Sequence, residues 1–102
     1  MAIDLRNADK DGYPLYKNFT ATTATVEIKV PSSARTIKIG SPTHDIYHCQ
    51  NGATDGGTIP TNRGFAPANN YVPLRLGIGR ERKSVFVAVQ SGSGEISVIL
   101  EE

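Results

Sequence analysis

The chain has 102 residues, with 11 Lys and Arg against 10 Asp and Glu and a formal net charge of +1. That length suffices for one domain, residues 1–102, that buries a core without staples, and the balanced charge excludes the basic face by which nucleic-acid binders hold phosphates. A single cysteine, Cys49, excludes an intramolecular disulfide and fits synthesis in a reducing compartment, while the absence of a leader-like or bilayer-length apolar run predicts a chain made and kept soluble, with no membrane partner.

In chain order, residues 1–11 are polar and charged except for Ile3 and Leu5, and are expected to form an extended N-terminal arm. Asp11 and Gly12 signal a turn. Residues 13–19 then read as an edge strand with Pro14 near its start. Val26, Ile28 and Val30 alternate with Glu27 and Lys29, the period of a strand with one buried face. Ile37 and Ile39 repeat the pattern after the Pro31-Ser32-Ser33 break. Residues 45–50 are a weaker strand whose parity is ambiguous.

Residues 50–70 carry Asn51-Gly52, Asp55-Gly56-Gly57, Pro60, Gly64, Pro67 and Asn69-Asn70. They read as a loop near the upper length that compact domains accommodate, a kind that is commonly functional or hides a short strand. Ile59 and Phe65 are its apolar residues, and at least one is expected to pin it to the body. Residues 71–102 then give three alternating runs: Val72, Leu74, Leu76 and Ile78; Val85, Val87 and Val89; Ile96, Val98 and Leu100. The breaks between them, residues 79–83 and 91–94, read as turns, the first as a charged hairpin tip. No helical period is sustained anywhere. The expected fold is all-β: a small antiparallel β-sandwich, jelly-roll or immunoglobulin-like, of six or seven strands.

Candidate chemistry is sparse. Residues 7–12 match the first half of a calcium loop, but Asn7 lowers the ligand charge and Asn18 stands where a bidentate Glu is required, so a polar turn is the better reading. His44 and His48 fall on one face of a strand about 13 Å apart, too far to share an ion, with Cys49 on the opposite face. Serines cluster in turns and pair with no base and acid, so no catalytic residues are assigned and the protein is expected not to be an enzyme. No metal or cofactor is expected. Tryptophan is absent, which counts against a sugar-stacking surface.

The order of segments carries a resemblance. A plain strand up to Val30 is followed by residues 35–40 and 45–49, then by the Gly- and Asn-rich loop. Asn70-Tyr71-Val72-Pro73-Leu74 enters the next strand, and residues 85–89, a Gly-Ser turn and residues 95–102 close the chain. From Ala24 onward this layout resembles the small β-sandwich proteins encoded among the virion genes of tailed bacteriophages. The resemblance implies a virion structural role, foremost a capsid decoration (cement) protein made in the host cytoplasm and placed on the capsid surface. Its implied partners are the major capsid protein or other virion subunits and further copies of itself, a trimer being favoured. Interface candidates are Ile3 and Leu5, which serve either as pegs on the arm or as ordinary packing against the protein's own edge, with Phe65, Tyr71, and Arg80 and Arg82 at the charged tip. The competing class is a ligand- or carbohydrate-binding sandwich using Tyr47, Phe65, Tyr71 and the long loop.

Overall fold

The computed structural model describes residues 2–7, 12–76 and 83–101. It is an all-β sandwich of two sheets. Nine strands are described: β1 (Ala2–Asp4), β2 (Leu15–Ala21), β3 (Val26–Val30), β4 (Thr36–Gly40), β5 (Ile46–Cys49), β6 (Gly64–Ala66), β7 (Val72–Arg75), β8 (Lys83–Val89) and β9 (Gly94–Glu101). The two beyond the expected seven are β1 and β6, three residues each, too short to show a period. Sheet A has the order β1-β3-β8-β5-β6 and sheet B the order β2-β9-β4-β7. All neighbours are antiparallel except β1, which lies parallel to β3.

The inward parities are those of the alternating runs. Val26, Ile28, Val30, Ile37, Ile39, Val85, Val87, Val89, Ile96, Val98 and Leu100 all enter one buried cluster. Each such side chain contributes roughly 1.5–3 kcal/mol relative to an exposed one. The ambiguity at β5 is resolved: Ile46 faces this core opposite Val89, and His48 follows it opposite Val87.

The three C-terminal runs do not form a meander. β7 is an edge strand of sheet B, β8 is central in sheet A, and β9 is central in sheet B. β7 and β8 belong to opposite sheets and do not pair as a hairpin; residues 80–82 of the expected charged tip lie outside the described residues. Among consecutive strands only β5 and β6 pair with each other. In every other case consecutive strands lie in opposite sheets.

Of the two readings of the N-terminal segment, packing against the protein's own edge is the one observed for residues 2–5. The strand β1 is hydrogen-bonded onto β3, and the Leu5 amide donates to the Lys29 carbonyl at 2.7 Å. Leu5 is 8% exposed within the core, and Ile3 is half-buried against it. Residues 8–11 lie outside the described residues.

Residues 50–63 are a covering layer. They leave β5, cross the outer face of sheet A over β8, and are stitched to the start of β3. The Thr25 amide donates to the Gly57 carbonyl, the Gly56 amide to the Thr25 carbonyl, and the Glu27 amide to Asp55 Oδ1. Ile59 is buried there with Cys49, Phe86 and Ala88, making a second small core on the outer face. Of the two expected anchors, Ile59 is thus enclosed, whereas Phe65 is 48% exposed on the hidden strand β6.

Candidate functional site

The site with most chemistry lies where β5 leaves sheet A and β6 enters it, facing the edge strand β7 of sheet B. A cleft of about 600 Å³ opens there, lined by His48, Gln50, Asn51, Asn62, Arg63 and Leu74 among others. The cleft is shallow and open to solvent over most of its extent. Gln50 fixes one wall by donating its side-chain amide to the Arg75 carbonyl at 3.2 Å, which ties β5 of one sheet to β7 of the other.

His48 lies over Gly64, its register partner on β6. A Cβ at position 64 would stand 2.0 Å from the imidazole Cε1, so the glycine is what admits the ring. Burial pushes the His48 pKa below the ordinary histidine value, and the imidazole is neutral at pH 7. His44 repeats the arrangement at the opposite end, its ring over Gly94 and its Nδ1 2.7 Å from Thr43 Oγ1. The two histidines serve different glycines. No group of three His, Cys, Asp or Glu among the described residues could hold a metal ion.

Arg63 stands at the lip of the cleft. Its guanidinium lies 3.7 Å over the centroid of the Tyr47 ring. Tyr47 meets Phe65 in a tilted pair, centroids 6.0 Å apart, and its hydroxyl accepts a hydrogen bond from the Gln90 side chain at 3.1 Å. These side chains come together because Tyr47 and Phe65 are register partners on the outer face of sheet A, and Arg63 continues the parity of Phe65. The result places an exposed aromatic, a cation over Tyr47 and a polar cleft side by side.

Cys49 points to the outer face opposite Phe86, away from His48. Burial raises its thiol pKa and keeps it protonated. Ser41 acts as a turn former, its Oγ accepting from the Thr43 and His44 amides. Tyr71 is 48% exposed and sits over Gly40. It precedes β7, and the parity of that edge strand places it on the outer face of sheet B, away from Tyr47 and Phe65. The aromatic surface expected from Tyr47, Phe65 and Tyr71 together is therefore split. Of the interface candidates, Leu5 is enclosed, Ile3 is half-buried, and Phe65 and Tyr71 are exposed on different sheets. Arg80 and Arg82 lie outside the described residues.

Two functional candidates were not singled out from sequence: Arg63 and the part played by Gly64. The available signal was Arg63-Gly64-Phe65-Ala66, an alternation short enough to be taken for loop. No protein-family model matches this chain, and none of the curated proteins matches it.

Proposed function

We propose that the chain is a structural subunit of a tailed-bacteriophage virion, foremost a capsid decoration (cement) protein and not an enzyme. In this reading it binds the capsid surface as a homo-oligomer, with a trimer favoured, against the major capsid protein or other virion subunits. The observation that carries it is the spread of the exposed aromatics. Tyr16, Phe65 and Tyr71 are the large apolar residues most exposed among the described residues. They stand on β2, on β6 and beside β7, at separate edges of a body whose longest loop is stitched down. A subunit seated at a junction contacts several neighbours at once and uses a rigid body with several anchors. Tyrosine and phenylalanine are enriched at such contacts. The segment order from Ala24 onward supports the same role.

Cosedimentation with heads lacking decoration, combined with the solution mass, tests the proposal. Saturable binding by an oligomer is expected, weakened by Tyr16→Ala and by Tyr71→Ala separately. A strictly monomeric protein that stays in the supernatant sinks it. A second reading, a ligand-binding module, is favoured by one observation: Arg63, which lies over Tyr47, also lines the open cleft beside β5 and β6.

A further inference from the structure

We propose that the Phe65–Tyr47–Arg63 surface, with its adjoining cleft, is a docking hot spot for a protein segment that presents a carboxylate next to an apolar side chain. Charge complementarity carries the argument. The cleft is lined by Arg63, a neutral imidazole and the carboxamides of Gln50, Asn51 and Asn62, with no carboxylate in its lining. Among the described residues no acidic side chain pairs with Arg63, whereas Arg6 is engaged by Asp4 at 2.6 Å. Tyr47 supports Arg63 from one side, its ring centroid 3.7 Å from the guanidinium carbon, and the guanidinium N–H groups are the donors that would grip a carboxylate.

The aromatic side decides between a protein and a saccharide. Tyr47 offers no open platform for a sugar ring. Arg63 covers one of its faces, Phe65 meets it at a 52° tilt, and Gln90 holds its hydroxyl. The group left outward is Phe65, 48% exposed, an apolar contact and not a hydrogen-bonding one. Arginine and aromatic residues beside an open cleft match the composition of interface hot spots. The proposal does not depend on the partner being a capsid subunit, so it can fail while the virion reading stands, and the converse.

The test is a nitrogen-15 NMR titration of the whole chain with three probes: a blocked tetrapeptide containing Glu-Leu, its Gln-Leu counterpart, and hyaluronan oligosaccharides. The Glu-Leu peptide is expected to move the Arg63 Nε–H and Asn62 side-chain amide signals saturably. Arg63→Gln should weaken that binding by about tenfold or more, the loss of a charge-assisted hydrogen bond, and Phe65→Ser should weaken it to a lesser degree. Arg35→Gln, an exposed arginine elsewhere, gives the same change in net charge and should leave binding unchanged. Equal binding of the Gln-Leu peptide, equal weakening by Arg35→Gln, a response to hyaluronan alone, or no response to any probe each overturns the proposal.

Discussion

Gly64→Ala is the most informative single substitution, because two effects of opposite sign meet at one atom. Gly64 is not among the positive-φ glycines, so alanine fits its backbone. On that ground the change would stabilise by about 0.4–1 kcal/mol through a less flexible unfolded chain. The new Cβ, however, would lie 2.0, 2.4 and 2.6 Å from three atoms of the His48 ring. Ordinary contact begins near 3.4 Å, so the ring must move by more than about 1 Å and leave its place in the cleft wall. The ring ends a flexible, half-buried side chain beside an open cleft, so the cost lies at the low end of the roughly 1–3 kcal/mol of core overpacking. Set against the entropic gain, a net destabilisation of up to about 0.5 kcal/mol is expected, a fall in Tm of a few degrees for a domain of this size.

The same substitution on a His48→Ala background meets no ring. There it should stabilise by a few tenths to about 1 kcal/mol, so its sign reverses between the two backgrounds. Urea unfolding of the four proteins in this cycle measures both effects, with a constant m-value showing that the native state stays comparable. If Gly64→Ala destabilises both backgrounds equally, the glycine is needed for a backbone reason and not to admit His48. If it stabilises both, the ring yields freely and is not a fixed wall of the cleft.

Three further outcomes follow from the fold. Leu5→Ala should cost about 2–3 kcal/mol, at the lower end for a buried leucine because β1 is an edge strand; a urea midpoint matching the parent would return residues 2–5 to the status of a passive arm. Thr25→Val should stabilise by up to about 1 kcal/mol, since Thr25 Oγ1 is enclosed with no hydrogen-bond partner among the described residues; destabilisation would show that the hydroxyl is satisfied in solution. Stability should fall as pH drops below 6.5, the ordinary histidine value. The unfolded chain takes up a proton there that the buried His48 ring resists, and the loss continues until the lowered folded pKa is passed. His48→Gln should flatten the dependence below pH 6.5, and an unchanged slope would assign it to other groups.

Sequence periodicity exposed the strands that bury one face and solvate the other. Val26-Glu27-Ile28-Lys29-Val30 shows this most plainly, and the structure buries its odd–even pattern as read. The signal faded where both faces are covered. On β8, Val85 through Val89 are all buried, because residues 50–63 lie over Phe86 and Ala88. On β5 the same cover encloses Cys49 behind Ile46, and the alternation disappears. Sheet membership was not legible either. Ser91-Gly92-Ser93-Gly94 has the composition of a hairpin turn, yet it carries the chain from sheet A to sheet B. Turn residues report that the backbone reverses; they carry no record of which strand it meets next.

The candidate site escaped the sequence for a related reason: it belongs to no local pattern. Arg63 and Tyr47 are joined only because β6 pairs with β5 across an intervening loop of 14 residues, 50–63. Closing a loop of that length is entropically unfavourable, and the stitches to β3 offset the cost. Ile59 buries its side chain, and Asp55, Gly56 and Gly57 exchange hydrogen bonds with the Thr25 and Glu27 backbone. The bond from the Glu27 amide holds the Asp55 carboxyl below its ordinary pKa. The segment that hides the outer face of sheet A therefore also sets the return path that lays Arg63 on Tyr47. Residues far from the cleft, on the opposite side of the sheet from β6, take part in holding its geometry, and no reading confined to neighbours in sequence would have connected them.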